Sequence, residues 1–213
     1  MKEEGVYHLD FDSQENRFLA HIIGSDKDAR IFIEGKNIHD ERAIELFNSK
    51  EGKYRAMAKT INHGLNYDMG KLLLAHQLGV SLNESNQLVH EFLAKNPELR
   101  KFRGMIKQEN SIMSLLYERV INLRGHMKVN WIVQGSCAEL LWEALRYLAT
   151  IKDRVKILPH FHDELVLKCL ICQAHSDEVC LPMMKVKDEL EALFPFYWVN
   201  SKVKVFKLGI KKK

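Results

Sequence analysis

The chain contains no apolar run near the ~20 residues a membrane-crossing helix needs. Its first residues, Met1-Lys2-Glu3-Glu4, are charged where a secretory leader would be apolar. Neither export nor a membrane partner is expected, so the reading is cytoplasmic, in a bacterial or phage-infected host cytosol. Cysteine is scarce, with four in 213 residues; that excludes a disulfide-stapled scaffold and fits reduced thiols. Cys169, Cys172, His175 and Cys180 follow a zinc-knuckle outline, but the gap from Cys172 to His175 is short for one. Cys169 also ends an alternating apolar stretch, so ordinary buried thiols are the preferred reading. There are no internal repeats. The net charge is only +4, too small for composition alone to demand nucleic acid. The charge is uneven, however. Six lysines fall between Lys202 and Lys213, a solvated tail that would attract a polyanion or simply solubilise the terminus.

What is present is enough for one good core, or for two subdomains sharing a sheet, at 46% hydrophobic residues. Residues 6–11 read as a short strand ending in an acidic turn. From Glu15 to about Phe47 the pattern is helical, with Phe18, Leu19, Ile22 and Ile23 on one face. Gly35 interrupts it, and Asn37 offers a fresh helix start. Helices are expected over Arg55–Asn66 and Glu84–Leu93, the latter ending at Asn96-Pro97. The most regular one covers Met127 to Leu148, with an apolar stripe through Trp131, Leu140, Leu141, Ala144, Leu145 and Leu148. Asn130 and Gln134, four residues apart, share a different face of it. Two strands flank His162-Asp163-Glu164, a late helix spans 176–193, and a final strand passes through Val203, Val205 and Phe206. Strands bracketing a helical block predict an α+β fold with a helical insertion.

Three segments carry the chemistry. Arg55, Lys59 and His63 recur every four residues, so they stay near one face of a helix for about 12 Å, roughly the length of an extended triphosphate. Arginine offers phosphate a bidentate fork and lysine a point charge. A solvated charged face is the plainer alternative, but Gly64 inside this helix and Gly70 after it point to close approach of a ligand or another backbone. Asp10 and Asp163 stand at expected strand ends. Magnesium prefers one or two protein carboxylates with water and substrate phosphate, and two ions about 4 Å apart can serve both the attacking and the leaving oxygen. These acids suit such a pair if their strands are neighbours.

Taken in order, the segments resemble family A DNA polymerases, the bacterial DNA polymerase I type. Asp10-x4-Glu15-x-Arg17 with Phe18-Leu19-Ala20-His21 resembles motif A. Asn37-Ile38-His39 is similar to a nucleotide-contacting segment, and Arg55-x3-Lys59-x3-His63-Gly64-x2-Tyr67 to motif B, the O helix. Asn130-x3-Gln134-Gly135 and His162-Asp163-Glu164-Leu165-Val166-Leu167 resemble the template-contacting helix and motif C. The similarity runs from Leu9 to about Val205.

The resemblance implies an antiparallel palm sheet with an inserted α-helical fingers subdomain: palm over 1–36, fingers over 37–124, and palm again over 125–213 with the basic tail. It implies two Mg2+ ions held by Asp10 and Asp163, with the carbonyl of Phe11 a further ligand and Glu164 a supporting acid. His39, Arg55 and Lys59 would grip an incoming dNTP, and Lys59 would protonate departing pyrophosphate. His63 and Tyr67 would line the nucleotide. Glu15, against Tyr67, would take the space of a ribose 2′-hydroxyl. Asn130, Gln134 and His162 would touch primer–template DNA. Asp12 is excluded as the catalytic aspartate, because only Asp10 keeps the spacing to Glu15 and Arg17.

The chain also departs from the pattern. Asp68 replaces a glycine, placing negative charge near the expected template path. His126 replaces an arginine, for which Arg124 or Lys128 could substitute, and the stretch between Lys59 and Gln134 is shortened. Only nine residues precede Asp10, so thumb and exonuclease domains are expected to be absent and a second polypeptide is expected to supply thumb and upstream palm. The alternatives are a non-catalytic DNA-binding or replication-assembly subunit that keeps the motifs, and a two-metal nuclease; the latter needs neither the basic stripe nor Glu15. Position 63 is usually Phe or Tyr in the family. Histidine there adds a titratable ring beside the phosphates, so discrimination against dideoxynucleotides should change in His63→Phe. Incorporation ratios for dideoxy against deoxy substrates measure it, and identical ratios in wild type and variant would refute it.

Overall fold

The structure, a computed structural model, describes residues 4–114, 117–122, 127–149, 155–158, 164–170 and 203–207. They form two compact units, one of residues 1–15 with 137–213 and the other of residues 16–136. Among the described residues no helix is long and apolar enough to cross a membrane.

The first unit is built on an antiparallel sheet. Alternation of Tyr7, Leu9 and Phe11 with Val6, His8 and Asp10 gives β1 (Glu4–Phe11). It lies between β5 (Glu164–Leu170) and β6 (Val203–Lys207), and β4 (Val155–Ile157) pairs with the outer side of β5. The resulting order is β4-β5-β1-β6. Phe11 and Leu165 are fully buried, as are Leu140, Leu141, Ala144 and Leu148 from the last turns of α8 (Met127–Leu148). Each buried phenylalanine or leucine side chain contributes roughly 1.5–3 kcal/mol relative to exposure. β1, β5, β6 and α8 fall where the sequence places them, whereas β4 overlaps the expected strand over 157–161 only at Ile157. The expected late helix over 176–193 lies outside the described residues, as do Cys172, His175 and Cys180.

The second unit is helical: α1 (Gln14–Ile23), α2 (Asp26–Ile33), α3 (Ile38–Phe47), α4 (Gly52–Asn66), α5 (Lys71–Leu78), α6 (Leu82–Lys95) and α7 (Pro97–Gln108), then a hairpin of β2 (Ile112–Met113) and β3 (Val120–Ile121). The helical run from Glu15 to Phe47 breaks twice, not once. Besides Gly35, Gly24 adopts φ +66° and Ser25 caps α2 by accepting from the Asp28 amide at 3.3 Å. Asn37 caps α3 as expected, its Oδ1 accepting from the amides of His39 and Asp40. Asn96-Pro97 ends α6 and also starts α7, with proline at the first turn where its missing N–H costs nothing.

A buried polar chain holds the first four helices together. Arg42 on α3 is 3% exposed; its Nη2 donates to both oxygens of Asp28 on α2, at 2.6 and 2.7 Å. Its Nη1 donates to Glu45, and its Nε to Asn62 Oδ1 on α4 at 3.1 Å. Asn62 Nδ2 in turn donates to Asn16 Oδ1 on α1 at 2.9 Å, and Asn66 Nδ2, one turn on, donates to the same oxygen at 3.3 Å. The guanidinium also lies 5.6 Å from the ring centre of Phe92. Removing one partner of a buried pair leaves an uncompensated charge. Asp28→Ala should therefore destabilise the protein by about 3 kcal/mol in urea unfolding; a change within experimental error would show that the pair does not hold these helices.

Candidate functional site

In the first unit, the acids are placed by strand register. Asp10 is one residue from the end of β1, opposite Glu164 on β5 and Lys204 on β6. β1 and β5 are hydrogen-bonded neighbours, which is the condition the sequence reading set for a shared metal pair. Asp163 immediately precedes Glu164 in sequence and, with His162, lies outside the described residues. Phe11 closes β1 with its ring fully buried. Glu15 sits half-buried in the first turn of α1. Among the described residues, which omit Asp163, no group of three or more His, Cys, Asp or Glu side chains could hold a metal.

The second unit carries the basic stripe. Arg55, Lys59 and His63 lie on α4, and His39 lies in the first turn of the adjacent α3. Lys59 and His63 are exposed. Arg55 is anchored by Asp40, which accepts from its Nε at 2.5 Å. His39 is different. Its Nδ1 is enclosed without a hydrogen-bond partner, and its pKa is pushed down to about 4, first by burial and then by the charges of Lys59, Arg55 and His63. The His63 and Tyr67 rings meet edge to face, centroids 5.1 Å apart and planes at 80°.

Beside that ring pair opens a cavity of about 540 Å³. His63, Tyr67 and Asp68 line it from the end of α4, Met69 and Leu73 from the next turn and helix, and Asn130 and Gln134 from α8. The two amide side chains that share a helix face thus reach the same space as the end of the basic stripe. Asn130 Oδ1 is buried without a hydrogen-bond partner, a state that costs about 1–3 kcal/mol unless a donor arrives.

Two expectations are corrected here. Asp68 does not present a free negative charge: its side chain is 6% exposed and paired with Arg103 and with Lys107, the latter at 2.6 Å. It holds φ +62°, a left-handed conformation that Asp and Asn tolerate better than most residues. Arg103 further donates to the carbonyl of Leu65 at 3.4 Å, so α7 is braced against the end of α4. Lys128, one expected stand-in for the arginine, has its ammonium engaged, donating to the carbonyls of Lys107 and Glu109 at the end of α7; Arg124, the other, lies outside the described residues. The glycine reading also needs adjustment. A Cβ on Gly64 would sit 2.8 Å from Met69 Sδ, so it is a side chain that approaches there, while nothing lies within 4 Å of a Cβ on Gly70. Sequence reasoning missed the Asp68–Arg103–Lys107 brace; an aspartate directly after the α4 tyrosine was its one signal.

The profile of DNA polymerase family A matches residues 1–195. The chain belongs to DNA polymerase family A. Among relatives, DNA polymerase I of Helicobacter pylori (strain ATCC 700392 / 26695) is 32% identical over 187 residues, covering 78% of this chain and 21% of the relative. The thermostable DNA polymerase I of Thermus filiformis is 30% identical over 220 residues, covering 91% and 26%. The chain therefore spans about a quarter of the length of these family A relatives. A solved structure, the polymerase domain of Pol1 from M. smegmatis in complex with DNA primer-template and dNTP, superposes with a TM-score of 0.78 at 20% identity. The match covers 97% of this chain and 39% of that one, and it establishes likeness of fold.

The brace is testable by itself. Asp68→Asn keeps the left-handed backbone but removes the charge, and should cost about 2 kcal/mol in chemical denaturation. Asp68→Ala should cost about 1 kcal/mol more through backbone strain. An Asn variant as stable as wild type would contradict the brace.

Proposed function

We propose that this chain is the catalytic portion of a DNA-templated DNA polymerase, which transfers a nucleotide from a dNTP to a primer 3′-hydroxyl and releases pyrophosphate. The observation that carries the reading is the adjacency, within one unit, of the His39–Arg55–Lys59–His63 face and the cavity shared by Tyr67, Asn130 and Gln134. A triphosphate needs the first and a base pair the second. In this reading residues 1–36 and 125–213, which carry the sheet strands, are the palm and residues 37–124 the fingers.

Arg55 binds phosphate oxygens while Asp40 keeps its guanidinium oriented. Lys59, one turn along α4 from Arg55, gives its proton to the pyrophosphate oxygen as the bond to the α-phosphorus breaks. His63 and Tyr67 form an aromatic wall against base and sugar, and Asn130 supplies an acceptor that now lacks a donor. Glu15 fills the space where a ribose 2′-hydroxyl would sit and so selects deoxynucleotides. Asn130, Gln134 and His162 contact primer–template DNA.

The donor set fits Mg2+. Asp10 and Glu164 occupy opposed register positions on adjacent strands, Asp163 precedes Glu164, and the Phe11 carbonyl adds another hard oxygen of the kind this ion prefers. Asp10, Phe11 and Asp163 would hold two ions, with Glu164 as the supporting acid. When bound, such ions lower the barrier by stabilising negative charge on the attacking and leaving oxygens.

Primer extension tests the proposal, using the chain alone and together with a polypeptide carrying the remaining parts of a family A polymerase. Wild type should extend, and Asp10→Ala and Asp163→Ala should each lose on the order of 1,000-fold. Lys59→Met should lose about 100-fold or more. Extension that survives either aspartate substitution excludes this site. No extension in any arm would favour a non-catalytic DNA-binding role.

A further inference from the structure

We propose that His39 is a proton-uptake site coupled to polyphosphate binding: neutral in the free protein, it takes one proton from solvent when a triphosphate settles on the face it forms with Arg55, Lys59 and His63. The inference rests on the reading of that face given above and adds a protonation event to it.

The geometry leaves the ring few ways to be charged without a ligand. His39 is the second residue of α3, where the positive end of the helix disfavours a cation. Its Nδ1 is enclosed and has no hydrogen-bond partner. The groups acting on it are Lys59, Arg55 and His63 from α4 and Asp40 on its own helix. Of these only Asp40 favours the imidazolium, and that carboxylate is already engaged by Arg55 at 2.5 Å. Burial and the neighbouring positive charge therefore act in one direction, and hold the pKa near 4 in the absence of anion.

A polyphosphate reverses the field. Several negative charges placed against the same four side chains favour the charged ring, as any opposite charge within ~4–6 Å does. Nδ1 is enclosed, so a phosphate oxygen reaches the ring through Nε2, which always carries an N–H in the protonated ring. No covalent bond changes; the proton comes from water or buffer and returns on release. The linkage sign follows. The complex binds more protons than the free chain, so polyphosphate affinity rises as pH falls, by at most tenfold per pH unit, between the free and bound pKa values of His39. Above the bound value the dependence vanishes.

The test is an NMR titration of the histidine ring nitrogens in the full 213-residue chain, with and without saturating inorganic tripolyphosphate at matched ionic strength. The His39 and His63 signals are assigned by their loss in His39→Gln and His63→Gln. Without ligand the His39 ring should stay neutral down to about pH 5. With tripolyphosphate its midpoint should rise by at least about two pH units, a hundred-fold change in proton affinity. A His39 midpoint that stays put while His63 responds to tripolyphosphate would overturn the inference and leave the phosphate face standing. A free-chain midpoint already near the ordinary value of about 6.5 would overturn it too. If neither ring responds to tripolyphosphate, the phosphate reading of the face fails, and the inference with it.

Discussion

The buried guanidinium of Arg42 is the interaction on which the second unit depends. It reaches Asp28 on α2, Glu45 on its own helix and, through Asn62, both α4 and Asn16 on α1. That chain fixes α3 against α4. The placement of His39 beside Arg55, Lys59 and His63 follows from it, because His39 is carried by one of those helices and the stripe by the other. Basic side chains repel when gathered in this way. Here the repulsion is limited by one carboxylate, Asp40 on Arg55, and by a histidine kept neutral through burial. The face stays assembled and retains an excess of positive charge.

The end of the same helix is held by a second set of charges. Asp68 lies between Arg103 and Lys107, and Lys128 closes the carbonyl end of α7. Together they set the cavity wall formed by Tyr67, Asp68 and Met69. A residue that in sequence looks like an intrusive negative charge is instead the anchor of that wall. The first unit works by different means. There the antiparallel register of β1 with β5 brings Asp10 opposite Glu164, so backbone hydrogen bonding alone sets the spacing of these two acids.

Much of the fold is legible in the sequence, for identifiable reasons. β1 is read from residue 6 onward by its apolar residues and acidic end, α8 by its apolar stripe, and Asn37, Asn96 and Pro97 mark helix ends through their local chemistry. The break at Gly24-Ser25 has a local signal that goes unread: Gly24 is followed by the polar run Ser25-Asp26-Lys27-Asp28, which interrupts the apolar period. The α4 stripe is legible because its residues are four apart on one helix. By contrast, Asp68 meets Arg103 across 35 residues and Arg42 meets Asp28 across 14, and no local pattern reports such pairings. His39 can be named from its neighbours in sequence, but its enclosed Nδ1 and its neutrality are properties of packing alone.

Membership in DNA polymerase family A gives these placements a common purpose, and the central claim is that the α3–α4 face receives the triphosphate. Competitive amine labelling of Lys59, read by mass spectrometry with and without a dNTP and Mg2+, tests it most directly. Lys53 serves as the control: it is on the same helix and exposed, with its ammonium over the Tyr54 ring at 4.6 Å. The account predicts that dNTP lowers the reactivity of Lys59 severalfold and leaves Lys53 unchanged. Equal protection of both lysines, or protection of neither, would contradict it.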